Sequence, residues 1–293
     1  MRWTARCPHS SYLPPQHQLS QRQTLLPTPL QYSDPDIMTD NDLHELLDSE
    51  AARINSPEFI ADDPVQFPHR FTDLRDIEIT SLLTSSIAWG NRKMICRDCN
   101  RLLGLMDNRP FDYMMDEGYE DLADSDNIHR TFFNSHLKYY LRGLRRIYAN
   151  HGSLQEFARA EGIASTEAPA WKLIEGVNRE LAEANSPADN TVASRCLPQN
   201  LKTTALKRVN MALRWLVRDD GIVDLGVWDI LKPSQLFIPL DVHVGDVSRE
   251  LGLLTRKADD RRSVVELTER LRRYNPDDPC IYDFALFGIG MKL

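Results

Sequence analysis

The stretch LFIPLDVHVGDVSRELGLL, residues 236–254, carries the clearest helix signals in the chain. An apolar run that ends in Pro239 is followed by Asp241, a residue type that often caps helices by accepting hydrogen bonds from their first backbone N–H groups. Gly252 closes the stretch, and glycine is common just past the end of a helix. The pattern therefore predicts a helix that begins after Asp241 and runs to Leu251.

The rest of the chain shows helical rather than strand-like periodicity. Residues 73–89 are apolar around most of the helix circumference, which is typical of a helix buried at the centre of a bundle. Two capping boxes are predicted, Ser153 with Glu156 and Ser263 with Glu266. One-sided apolar stripes predict further helices near residues 43–54, 137–149, 171–177, 206–217 and 264–274. Because we find no sustained alternation and no repeat, the sequence predicts an all-α fold.

Residues 1–37 differ in composition from the remainder of the chain. They combine six prolines with many Gln and Ser, and they lack apolar periodicity, which predicts a disordered extension. We expect Met38, where helical patterning begins, to be the native start of a helical domain that spans residues 38–293. The extension lacks the apolar centre of a secretory signal, and five cysteines are too few for a disulfide framework, so we expect a cytoplasmic protein. No apolar run is long enough to span a membrane.

Charge is distributed unevenly along the chain. The formal net charge is -8, yet residues 129–151 and 195–218 are two basic segments without an acidic residue. Such segments suit a phosphate-binding face, although two solvated helix faces would give the same pattern. The candidate nucleic-acid-binding residues are Arg130, Lys138, Arg142, Arg145, Arg146, Lys202, Arg208 and Arg214.

Lys207 and Asp241 are the candidate catalytic residues. A lysine near a helix start is most often solvated, but a neutral, buried lysine is an amine nucleophile. Asp241 is interpreted first as a cap, and its place beside apolar residues also suits a carboxylate that stabilises a cation or accepts a proton. His243 follows two residues later and would be structural, or part of a metal site with His129 or His136.

Other catalytic signatures are weak or missing. Cys96 and Cys99 form a single C-x-x-C motif, which we interpret as two reduced thiols rather than a zinc site. The sequence contains no P-loop, no dinucleotide-binding glycine motif after a strand and no nucleophile elbow. We expect no metal, because no other His or acid stands at a metal-ligand spacing from Asp241 and His243.

Two segments together resemble the helix-hairpin-helix DNA glycosylase superfamily. They are KRVNMALRWLV from Lys207 and IPLDVHVGDVSRELGL around Asp241, and members of that superfamily place a lysine and an aspartate at the starts of two such helices. The resemblance implies a two-lobed helical bundle in which Lys207 attacks the sugar C1′ and Asp241 stabilises the cationic sugar. It also implies a base flipped out of the DNA stack and held by aromatic side chains, for which the candidates are Trp89, Trp215 and Trp228.

Two features depart from the superfamily pattern. PQNLKTTALK, residues 198–207, lacks the hairpin glycines that let backbone N–H groups approach a phosphate. The 34 residues from Lys207 to Asp241 exceed the gap in most of the superfamily and resemble the archaeal 8-oxoguanine branch. Because the iron–sulfur cysteine cluster of one branch is missing, the resemblance implies no cofactor.

The chain also resembles a bacterial family of unknown function. This second resemblance covers about residues 40–290 and rests on the segments EFIADDPVQFPHRF, DIEITSLLTSSIAWGNRK and YDFALFGIG.

The sequence thus predicts a DNA glycosylase-like protein with a Schiff-base lyase step and DNA as its partner. One alternative is a helical module that binds nucleic acid without catalysis, which the missing hairpin glycines favour. A second alternative is a metal-dependent hydrolase that uses Asp241 and His243.

Overall fold

The computed structural model describes residues 38–187 and 190–293. The disorder predicted for residues 1–37 falls outside the described residues. Residues 38–293 form one compact unit, and the expectation of two lobes inside it stays a prediction. No helix in the described ranges is long and apolar enough to cross a membrane.

The described residues contain thirteen α-helices, which confirms the all-α prediction. The first seven are α1 (Asp40–Ile54), α2 (Pro57–Asp62), α3 (Leu74–Ser86), α4 (Arg92–Leu105), α5 (Pro110–Met115), α6 (Asn134–His151) and α7 (Leu154–Ala160). The other six are α8 (Pro169–Ala184), α9 (Asn190–Cys196), α10 (Lys207–Val217), α11 (Val242–Glu250), α12 (Arg261–Arg272) and α13 (Tyr282–Met291). Two short antiparallel strands, β1 (Asn127–His129) and β2 (Phe132–Phe133), form a hairpin between α5 and α6. Short 3-10 turns cover Pro64–Gln66, Pro68–Arg70, Gly118–Asp121, Ile163–Ser165, Pro233–Gln235 and Pro279–Ile281.

Helix α3 lies at the centre of the unit, as its all-round apolar pattern predicts. Every residue from Ile77 to Ser86 is buried, and the helix packs against α10. Its carboxylate Glu78 is buried too, and burial raises the pKa of this group. Four donors offset the burial: the Tyr148 hydroxyl, the Trp228 indole N–H and the backbone N–H groups of Leu154 and Gln155. Glu78 therefore ties α3 to α6, α7 and the segment before α11.

The end of α10 is fixed by a buried network of charges. Arg214 donates to Asp283 on α13 and to Asp224, and Arg218 donates to Asp224 and Asp278. Both arginine side chains and the Asp224 side chain are at most 4% exposed. Buried charges of this kind persist in a fold when each has a partner of opposite sign. The network joins α10 to α13, and α13 in turn packs on α1 and α11.

The predicted start of α11 is confirmed. Asp241 precedes the helix in an extended conformation, and its Oδ1 atom accepts a hydrogen bond from the Val244 backbone N–H over 3.0 Å. Gly252 follows the helix with a φ of 69°, a left-handed conformation that favours glycine. The helix ends at Glu250, one residue before the predicted end.

The predicted cap of α12 is wrong. Asp260 caps the helix, and Ser263 lies within its first turn and donates its backbone N–H to Asp260 Oδ1 over 3.0 Å. Glu266 instead accepts hydrogen bonds from the backbone N–H and the hydroxyl of Thr255. The cap is therefore a carboxylate three residues before Ser263, and the helix begins at Arg261, directly after it.

Candidate active site

Lys207 and Asp241 meet in the folded chain. Lys207 is the first residue of α10 and Asp241 is the cap of α11, and Lys207 Nζ lies 3.6 Å from Asp241 Oδ2. The two side chains are 28% and 26% exposed, so both can be reached by a ligand. Leu206, directly before α10, has a left-handed φ of 52° while its side chain is buried, which sets the direction in which the helix starts.

This pair lies in the wall of a cavity of about 680 Å³. Six segments form it: α2 with the turn after it, residues 88–91 after α3, the start of α4, helix α10, the start of α11 with its cap, and helix α13. The volume falls in the range of small-molecule sites, which are mostly apolar with a few placed polar groups. The lining has both kinds of side chain, with Phe59, Met211 and Phe287 among the apolar ones and Asp63, Arg92 and Asp283 among the charged ones.

Asp283 is a cavity residue that the sequence interpretation missed. Burial raises the pKa of its carboxyl to about 6; Arg214 opposes this shift and the neighbouring Asp241 charge adds to it. Asp283 therefore provides a carboxyl that gains or loses a proton near neutral pH, beside the Lys207–Asp241 pair. A sequence signal existed, because Asp283 is the single charged residue of the apolar segment YDFALFGIG, where an acid requires a buried partner.

Replacing Asp283 with asparagine tests this burial. The folded chain keeps the proton up to about pH 6, whereas the unfolded chain loses it near the usual value of 3.8. The folded state binds more protons in that window, so wild-type stability relative to the variant falls as pH rises. We expect the free energy of unfolding of the wild type minus that of Asp283→Asn, both measured by urea titration, to fall by up to about 3 kcal/mol from about pH 4 to pH 7. A constant difference contradicts the assignment.

Trp89 is the one tryptophan of residues 38–187 and 190–293 that lines the cavity. Its neighbour His129 is fully buried, with Nδ1 2.7 Å from an Asp98 carboxylate oxygen and Nε2 2.9 Å from the Trp89 carbonyl. Since a carbonyl only accepts, Nε2 donates, and the His129 ring also packs edge-on against the Trp89 ring. The other two candidates for base stacking are core residues, because Trp215 and Trp228 are 0% and 3% exposed.

The first basic segment is largely paired with acids from elsewhere in the chain. Lys138 lies 2.8 Å from Asp124, Arg142 lies 2.6 Å from Glu120, Arg145 lies 2.7 Å from Glu117 and Arg146 lies 2.8 Å from Glu180. A phosphate would have to compete with these carboxylates, and the predicted role of the four residues stays a prediction. Arg130 differs, since it is exposed and the described residues give it no ion pair.

The second basic segment divides into buried and open residues. Arg214 is buried in the charge network and faces two aspartates. Lys202 is exposed, and Arg208 is partly exposed and lines the cavity beside Lys207. Of the predicted phosphate contacts, Arg208 and Arg214 line the cavity of the Lys207–Asp241 pair, and Arg208 is the one of these two that no aspartate pairs with in the described ranges.

The histidines are not gathered at Asp241. His243 is exposed on α11, His129 is committed to Asp98 and Trp89, and His136 accepts a hydrogen bond from the Phe133 backbone N–H. Across residues 38–187 and 190–293, no group of three or more His, Cys, Asp or Glu side chains stands close enough to hold a metal ion. The cysteines of the C-x-x-C motif, at positions 96 and 99, are free thiols on α4.

Comparison with known proteins identifies a family. No curated protein matches the chain, and no solved structure matches it. The resemblance to helix-hairpin-helix glycosylases therefore stays a prediction. A family model described as "Protein of unknown function (DUF2400)" matches residues 63–292, which include every residue that lines the cavity except Phe59 of α2. Because this match covers well over half of the sequence, the chain belongs to the DUF2400 family.

Proposed function

We propose that the protein is a DNA glycosylase with a Schiff-base lyase step, in which Lys207 is the nucleophile and Asp241 its carboxylate partner. The observation that carries the proposal is the 3.6 Å approach of Lys207 Nζ to Asp241 Oδ2 in the wall of a cavity of about 680 Å³. The two residues are 34 positions apart in sequence, and each stands at the start of its helix.

Asp241 is suited to act on the amine of Lys207. Its Oδ1 atom is held by the Val244 backbone N–H, which leaves Oδ2 facing Nζ. A carboxylate in this position can take a proton from the ammonium group, and the neutral amine then has a free electron pair. The same carboxylate stabilises positive charge that develops on a sugar bound between the two residues.

The chemistry at an abasic site balances without a cofactor. The Lys207 amine adds to the C1′ aldehyde of the opened sugar, and water leaves to give an imine. Protonation of the imine makes the C2′ proton acidic, and its removal expels the 3′ phosphate by β-elimination. At an intact nucleotide, the amine displaces the base at C1′ and loses a proton, and the base leaves with the electron pair of the glycosidic bond and takes up a proton. Cleavage of the bond between C1′ and the ring oxygen then gives the same imine.

The cavity also suits an extruded base. Enzymes that act on bases hold the flipped base between aromatic or apolar side chains. Phe59, Trp89 and Phe287 line this cavity with the Lys207–Asp241 pair, so a base and its sugar can be held in the same space. This arrangement supports glycosylase chemistry more directly than the metal-dependent alternative.

Borohydride trapping tests the proposal. Wild-type protein incubated with duplex DNA that carries an abasic site is expected to form a covalent adduct on reduction, because borohydride converts the imine to a stable secondary amine. Peptide mass spectrometry is expected to place the adduct on Lys207, and the same duplex without an abasic site is the control. DNA binding without any adduct would favour the non-catalytic alternative.

A further inference from the structure

Arg208 is a partly buried cation without a counter-charge. Its guanidinium donates to the Ser86 carbonyl and lies over the Trp89 ring at 5.1 Å, and within the described ranges no carboxylate pairs with it. Burial lowers the pKa of this guanidinium. On the same helix, Arg214 faces two aspartates, as an arginine in a protein interior ordinarily does. An unbalanced charge of this kind is stabilised when an anion binds beside it.

A second cavity, of about 290 Å³, shares Arg208 and Trp89 with the larger one. Thr131 and Arg195 line it as well, and Arg195 Nη1 donates to the Thr131 hydroxyl over 3.4 Å. The remaining lining residues, Phe132 and Ser194, are uncharged, so two guanidinium groups face this space without an acid among its lining residues. We name it the arginine cavity.

Arg130 extends the positive surface around Trp89. It stands in the turn between β1 and β2, next to Thr131 of the arginine cavity. Its guanidinium lies against Gly90, the residue after Trp89, and a Cβ atom at Gly90 would collide with it. Gly90 has a φ of 101°, so this position suits glycine for its backbone as well as for the space. The loop that carries Trp89 is thus flanked by cations on both sides.

We infer that the arginine cavity binds a phosphodiester group of a DNA strand, next to the nucleoside unit held in the larger cavity. The inference rests on the proposed function, since the two cavities share Trp89 and Arg208 as their common wall. Phosphate oxygens accept hydrogen bonds, and the two guanidinium groups and the Thr131 hydroxyl can donate them. Arginine in particular binds phosphate through paired N–H groups.

Arg195 provides the sharpest test, because it is exposed and its replacement leaves the core unchanged. The probe is a duplex with a central tetrahydrofuran residue, an abasic analogue that cannot form an imine. We expect Arg195→Ala to bind it about 5-fold more weakly at physiological salt, and the slope of log affinity against log salt to become shallower by about 0.9, the value for one lost phosphate contact. Arg262→Ala, at an exposed arginine on α12 that lines neither cavity, is expected to change neither quantity.

Several results would overturn the inference. A phosphodiester in the arginine cavity is excluded if the salt slope is unchanged in Arg195→Ala, or if the wild type does not bind the tetrahydrofuran duplex. This holds even if borohydride traps an adduct with the abasic duplex. Conversely, a changed slope without any trapped adduct overturns the lyase proposal and leaves the phosphate site standing. Equal thermal protection by inorganic phosphate and by the duplex would assign the cavity to free phosphate instead.

Arg208→Lys keeps the positive charge but loses the paired N–H groups of the guanidinium. We expect this variant to bind the tetrahydrofuran duplex more weakly as well.

Discussion

Lys207→Ala is expected to abolish the borohydride-trapped adduct and to slow β-elimination at an abasic site by at least about 1,000-fold. Alanine removes the amine that forms the new bond to C1′, and no other lysine among the described residues lines the cavity. Two quantities are measured: the single-turnover rate of cleavage of an abasic duplex, and the amount of adduct that borohydride traps. Undiminished trapping in this variant would contradict the role of Lys207.

Two further variants separate chemistry from binding and folding. Lys207→Arg keeps a positive charge beside Asp241 but removes the nucleophile, so we expect it to bind DNA and to form no adduct. Lys232→Ala removes an exposed lysine outside the cavity and is expected to behave as wild type. Loss of trapping in both alanine variants would indicate a general effect of lysine loss rather than a nucleophile at position 207.

The partner carboxylate can be tested without disturbing the helix that it caps. Asparagine caps helices about as well as aspartate, so Asp241→Asn keeps the hydrogen bond from Val244 while it removes the charge. We expect cleavage to slow by about 100-fold with little change in thermal stability. Asp241→Ala loses the cap as well, which costs about 1 kcal/mol of stability.

The sequence predicted those parts of the structure that depend on neighbouring residues. Local periodicity and capping gave α3, α10 and α11, and the resemblance paired Lys207 with Asp241. The Ser263 cap was wrong because Asp260, which caps the helix, lies just outside the apolar stripe that guided the assignment. Helix capping is decided by which side chain reaches the first N–H groups, and two acceptors three residues apart cannot be ranked by periodicity.

The distant pairs could not be predicted in the same way. Arg146 pairs with Glu180 on α8, and Arg214 pairs with Asp283 on α13. The first basic segment, residues 129–151, therefore looked open, although folding brings carboxylates from residues 117–124 and from α8 to four of its residues. The apolar segment around Asp283 signals a buried acid, but its place in the cavity could not be predicted, since the cavity exists only when α13 packs beside α10 and α11. Contacts of this kind depend on tertiary packing, which one sequence does not reveal.

Asp224→Ala is expected to destabilise the fold by about 3–5 kcal/mol, the largest stability change among the variants considered. The Asp224 side chain is fully buried and accepts hydrogen bonds from both Arg214 and Arg218. Its removal leaves two buried guanidinium groups with less compensating charge, and the cost of such a buried charge exceeds that of losing a surface pair. The measurement is the free energy of unfolding from urea titration.

Asp229→Ala is the matched control, because Asp229 forms an ion pair at the surface. Its Oδ1 atom lies 2.9 Å from Arg159 Nη2, and the Asp229 side chain is 80% exposed. Surface pairs contribute about 0–1 kcal/mol, so this variant should remain close to wild type. Since Arg214 also holds Asp283 in the cavity wall, folded Asp224→Ala protein is expected to trap less adduct than Asp229→Ala at the same temperature. Equal stability of the two variants would mean that the buried network does not hold α10 against α13, and the cavity would then depend on apolar packing alone.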